Sequence, residues 1–97
     1  MAKNEMLRES ISEIESLQDA IILDNPYFDN SIVGYTEDGK LVYDFDKMVD
    51  EFFQDNKDDN IEYVNAIEFI EYNTLRAIPY AGERAPIIIF KDGLGIW

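Results

Sequence analysis

The chain has 97 residues, 46% apolar and 13% aromatic, with 21 acidic against 8 basic side chains and a formal charge of −13. That length holds one hydrophobic core, a single domain over 1–97, and the apolar share is that of a folded globule. So negative a surface repels bare nucleic acid and anionic membranes, and with neither cysteine nor histidine present disulfides, thiolate zinc sites, Ser-His-Asp triads and the usual neutral-pH base are excluded.

The opening MAKNEMLRESISEIES is charged and lacks the apolar core of a signal peptide. Leu7, Ile11, Ile14 and then Leu17 or Gln18 mark one narrow face of a helix over 4–19. Residues 20–23 (AIIL) suit either the end of that helix or a short extended piece beside a hairpin, with the extended form favoured. Asn25-Pro26 has the signature of a turn, or of a single helical turn with Asn25 capping and Pro26 at its first position. In SIVGYTEDGKLVYDFDKM, residues 31–36 and 40–44 are rich in β-branched and aromatic side chains, and Asp38-Gly39 stands between them. A two-residue type I′ turn there pairs Glu37 with Lys40, Thr36 with Leu41, Tyr35 with Val42 and Gly34 with Tyr43. A three-residue turn with a bulge moves every pair by one.

Asp44 suits the N-cap of a helix over 45–55, whose Phe45, Met48, Val49, Phe52 and Phe53 form a full amphipathic face. Asp59 with Glu62 makes an acidic capping pattern for a further helix from Asn60 to Tyr72 or Leu75. Its apolar face holds Tyr63, Ala66, Ile67, Phe69 and Ile70, and it must end before Pro79. Pro86 to Lys91 reads as a strand apolar on both faces, either covered on both sides or at an edge meant for another chain. Asp92-Gly93 turns the chain into an apolar tail, Leu94 to Trp97. The expectation is an α+β fold in the order α-β-β-α-α-β, with a mostly antiparallel sheet of three strands, or four if 20–23 joins.

The segments SIVGYTEDGKLVYDFDKMV and AIEFIEYNTLRAIPYAGERAPIIIF resemble a set of small acidic proteins of bacteriophages, prophages and related mobile elements. The likeness spans roughly Ser31 to Phe90. It brings no activity and no site residue with it. It implies a phage or mobile-element origin and the cytoplasm of a bacterial host.

Charge is polarised along the chain. Between Met48 and Leu75 stand eight acids, Asp50, Glu51, Asp55, Asp58, Asp59, Glu62, Glu68 and Glu71, against one base, Lys57. Carboxylates on successive helical turns lie about 5–6 Å apart, close to the spacing of backbone phosphates. The sharp reading is a nucleic-acid mimic that fills the groove of a host DNA- or RNA-handling protein. The plain reading is a solvated face that keeps a small protein soluble.

Asp44-x-Asp46 and Asp55-x-x-Asp58-Asp59 carry oxygen ligands, yet the EF-hand spacing fails at Lys57, at the sixth-position glycine and at the twelfth-position glutamate. Helix caps account for both clusters, and neither metal nor cofactor is expected. The serines have no histidine to activate them, and no two acids are marked as buried and facing, so no catalytic residue is expected.

A second candidate patch is Tyr72, Asn73, Arg76, Tyr80 and Arg84, residue types favoured at binding hot spots. Its alternative is a helix end, with Arg76 answering the dipole and an acid such as Asp29 or Glu71. A third group, Ile87, Ile89, Ile96 and Trp97, forms an apolar patch suited to a homodimer. The chain therefore reads as a non-enzymatic protein that binds a protein partner through its acidic helices, touching neither nucleic acid nor membrane. The alternative is a structural module that self-associates through the C-terminal strand and tail.

Overall fold

A computed structural model describes residues 4–23 and 27–90. Strand β1 (Ile32–Tyr35) and strand β2 (Leu41–Asp44) form the hairpin. Its tip is the three-residue form: the Gly39 N–H donates to the Thr36 carbonyl at 3.1 Å, and the Thr36 N–H to the Lys40 carbonyl at 2.9 Å. Only Gly39 needs positive φ, at +89°, which is the glycine bulge that follows a type I turn. Tyr35 therefore faces Leu41 and Gly34 faces Val42, one step from the two-residue register. A second irregularity at Val33 brings Ile32 opposite Tyr43. The Thr36 hydroxyl bonds to the Asp38 carboxylate and Lys40 lies 3.4 Å from it. Together they hold that carboxyl below the usual carboxylate range.

Strand β3 (Ile87–Ile89) lies on the other side of β2, giving the order β1-β2-β3. It runs parallel to β2, with Val42 facing Ile87 and Asp44 facing Ile89, so the sheet is mixed rather than mostly antiparallel. Two helices lie between β2 and β3, and such a crossover returns the chain to the end where β2 began. The fold class is α+β, and the described sheet has three strands. Residues 20–23 form neither helix nor strand. They are half-buried and tied to the sheet by the Leu23 N–H, which donates to the Tyr43 hydroxyl at 2.9 Å. The expected turns at Asn25-Pro26 and Asp92-Gly93 and the tail lie outside the described residues.

Helix α1 (Glu5–Ser12) is shorter than its pattern predicts. Asn4 caps it by accepting from the Leu7 N–H at 3.0 Å. At the other end the Ser12 hydroxyl turns back to the Glu9 carbonyl at 2.6 Å, while the Gln18 amide takes the Ser12 carbonyl at 2.7 Å. These side chains satisfy carbonyls that another helical turn would have used. A single 3-10 turn, Glu15–Leu17, follows and buries Leu17 beside Ile11.

Helix α2 (Phe45–Asp55) starts where its cap predicts, the Asp44 carboxylate accepting from the Lys47 N–H at 3.2 Å. It buries Phe45, Met48 and Val49 against Leu41 and Tyr43 of β2. Helix α3 (Tyr63–Phe69) begins three residues later than expected. A separate 3-10 turn, Lys57–Asp59, ends at Asn60 with φ +59°, a left-handed position that asparagine tolerates. The cap is consequently Glu62, whose N–H donates to the Asn65 side chain at 2.9 Å, and not Asp59. Beyond Phe69 the helix widens into a π-helical stretch, Ile70–Leu75.

The Tyr43 ring is fully buried, and burial pushes its phenol up to about 12 from an ordinary value of 10. The neutral phenol is the form the fold holds, so the unfolded chain loses its proton first, near pH 10. Stability is then expected to fall until the folded phenol ionises in turn near 12. Two pK units at 1.36 kcal/mol each set a ceiling of about 2.7 kcal/mol. Urea unfolding below pH 10 and near pH 12 checks this, with Tyr43→Phe expected to lose that part of the alkaline fall.

Candidate functional site

The acidic residues ride on α2, α3 and the turns that adjoin them, and the two helices are clamped by aromatic rings. Phe52 of α2 stacks on Phe69 of α3 with centroids 4.4 Å apart, and Phe53 meets Tyr63 edge-on at 5.5 Å. The Tyr63 hydroxyl donates to the Asp50 carboxylate at 2.8 Å, which lays the start of α3 along the middle of α2. Tyr63 was expected on the apolar face and is instead 45% exposed. Its ring covers Phe53 while its hydroxyl reaches the surface, the usual compromise of an amphipathic side chain.

Asp50, Asp55, Asp58, Asp59, Glu62, Glu68 and Glu71 are all exposed. Glu51 differs. It is half-buried, accepting from the Ser31 hydroxyl at 2.7 Å and the Asn30 N–H at 3.3 Å. Its carboxylate fastens the 3-10 turn Asp29–Ser31 to α2, so it is a structural link and not part of the open acidic face. Asn30, Lys47, Asp50, Glu51, Gln54 and Asp55 line a shallow groove of about 450 Å³. Among the described residues no group of three or more acids is arranged to hold a metal ion.

The second patch divides. The Arg76 guanidinium lies over the Tyr72 ring at 4.7 Å, and both are exposed. Arg84 turns away to the hairpin tip, where it donates to the Asp38 carbonyl at 2.5 Å. The Asn73 amide returns to the Phe69 carbonyl at 3.0 Å, and Tyr80 stands 90% exposed. Asp29 does not serve Arg76, because Arg8 holds it with two bonds of 2.9 Å. Five residues from one stretch of sequence thus answer to different neighbours.

In the third group, Ile87 is exposed and Ile89 half-buried on an edge strand, while Ile96 and Trp97 lie outside the described residues. Phe90 belongs with this edge: it is 49% exposed, its ring 4.8 Å from Phe45. Sequence reasoning also passed over Val64, 49% exposed on the outer side of α3. The signal was its position four residues ahead of Glu68, on the polar side of the helical period.

Among the described residues no helix is long and apolar enough to cross a membrane. The geometry defines an α+β protein with a mixed three-stranded sheet and a carboxylate-bearing helical layer. No family model, curated protein or solved structure matches the chain.

Proposed function

We propose that the chain is a non-enzymatic interaction protein of phage or mobile-element type. It binds a protein partner in the bacterial cytoplasm through the carboxylates of α2, the Lys57–Asp59 turn and α3. In its most concrete form the surface imitates a nucleic-acid backbone and blocks a host DNA- or RNA-handling protein. What supports this reading is the exposure of seven carboxylates on adjoining elements. Several bases meanwhile are engaged elsewhere: Arg8 with Asp29, Lys40 with Asp38, Arg84 with the hairpin tip and Arg76 with Tyr72.

A partner captured from host lysate at low salt is expected to be released by added salt and by competing duplex DNA, because screening and charge competition act on the same contacts. Converting Asp58 and Asp59 to Asn, and Glu62, Glu68 and Glu71 to Gln, removes five exposed charges. With exposed pairs contributing about 0.2–1 kcal/mol each, the combined variant is expected to bind at least about fivefold more weakly, and up to roughly a thousandfold or more if every charge is engaged. Binding that ignores both salt and these substitutions retires the proposal.

One observation favours a second reading, self-association. Strand β3 is an edge of the described sheet, and both Ile87 on it and Phe90 just after it are exposed. Sedimentation separates the two, since a strict monomer at high concentration removes the homodimer.

A further inference from the structure

Helix α3 and the π-helical stretch after it carry two rows of side chains at four-residue spacing, one buried and one exposed. Ala66, Ile70 and Thr74, four residues apart, are all buried. Val64, Glu68, Tyr72 and Arg76 repeat the same spacing half a turn away, and all are exposed. In an unbroken α-helix four residues overshoot a turn by about 40°, so each line would wind around the axis. The wider π turn, bonded i to i+5, undershoots instead and cancels the drift. The widening thus seats Thr74 inside and carries Tyr72 and Arg76 onto the line begun by Val64 and Glu68.

The outer line is unusual for a solvated face. Val64 is 49% exposed and Tyr72 59%, and Tyr80 in the next 3-10 turn (Ile78–Tyr80) is 90% exposed. Beside them Glu71, Tyr72, Leu75 and Arg76 line an open hollow of about 330 Å³, roomy enough for an aliphatic side chain. Glu68 stands in the line and Glu62 and Glu71 flank it, against the line's one cation, Arg76, whose charge already lies over the Tyr72 ring. Tyrosine and arginine are the residue types that anchor interfaces, and acidic neighbours select a partner of opposite sign.

We infer that this outer face, centred on Tyr72, is the docking line for a basic amphipathic helix of the partner protein. An apolar side chain of that helix enters the hollow at Leu75, and its Lys or Arg residues meet Glu68 and Glu71. The inference rests on the acidic-surface reading above and adds to it an apolar anchor, so that charge alone does not suffice.

The test uses the full chain and two synthetic helical peptides of equal positive charge, one with a leucine face and one with serine in place of every leucine. Fluorescence polarisation is expected to show the leucine peptide binding about tenfold or more tightly than the serine peptide. Tyr72→Ala is expected to remove about tenfold from the leucine peptide alone. Tyr80→Ala is expected to act in the same direction, and Tyr35→Ala, about as exposed as Tyr72 but on β1, to change nothing. Equal binding of both peptides, indifferent to Tyr72→Ala, overturns the docking line and leaves a charge-only surface standing. Leucine-dependent binding lost in Tyr35→Ala instead moves the site to the sheet and overturns it too. Failure of both peptides to bind overturns the docking line and the acidic-surface reading together.

Discussion

Replacing Arg8 by Met is expected to lower stability by about 3 kcal/mol, the usual cost of stranding one member of a buried ion pair. For a domain of this size that is a fall in melting temperature of roughly 12–24 °C. Asp29 is fully buried in the turn before β1, and the Arg8 guanidinium grips both its oxygens at 2.9 Å. The Asn4 N–H adds a third bond at 3.2 Å, and the Arg8 guanidinium also lies 5.1 Å from the Tyr27 ring. The hydrogen bonds that Arg8 donates to Asp29, ahead of that residue's charge, raise the Arg8 pKa above its ordinary value, so the guanidinium stays ionised throughout the working range. With Met at position 8, the carboxylate keeps its burial and loses both guanidinium bonds. The double variant Arg8→Met with Asp29→Leu is expected to recover most of the loss, since removing both charges removes the desolvation problem. Thermal melts of the wild type, both single variants and the double variant close the cycle. Additive losses would mean that the two side chains act independently, which the bidentate geometry forbids.

Nothing in the order of residues announces that pair. Arg8 and Asp29 are 21 positions apart, and each looks like one of many surface charges. What was legible is local. Asp44 as a cap, the amphipathic spacing from Phe45 to Phe53 and the turn at Asp38-Gly39 are set by neighbours within a few residues, and the structure has all three. The register slipped by one because Asp-Gly serves a two-residue and a three-residue turn alike, and a single glycine at positive φ satisfies the longer one. The parallel pairing of β3 was half legible: a strand apolar on both faces is typical of parallel sheets, although an edge explains it as well. The eight acids were countable in the sequence, but not that Glu51 is tied to Ser31 and Asn30. The line of Val64, Glu68, Tyr72 and Arg76 was hidden for another reason. A helical wheel at 3.6 residues per turn fans these positions over about 120°, and the π-helical stretch narrows that spread.

Gly39→Ala is expected to destabilise the fold by about 2–5 kcal/mol, combining roughly 1–2 kcal/mol for a side chain in the left-handed region with about 1–3 kcal/mol for overpacking. Gly39 is buried although it sits at the hairpin tip. A Cβ there would collide with the Ser16 carbonyl and the Arg84 guanidinium, so three segments distant in sequence converge on this one hydrogen atom. The two contributions can be separated. Asparagine tolerates positive φ, so Gly39→Asn keeps the collision and relieves the backbone, and it is expected to cost less than alanine but well above zero. Adding Arg84→Ala to Gly39→Ala removes the movable obstacle and leaves the Ser16 carbonyl, which is main chain and cannot rotate away. The double variant is therefore expected to recover only part of the loss relative to Arg84→Ala alone. Urea titrations of the wild type and the four variants decide it. Gly39→Asn as stable as the wild type would mean that the tip stands clear of the 3-10 turn Glu15–Leu17 and that the collision is not what holds this position to glycine.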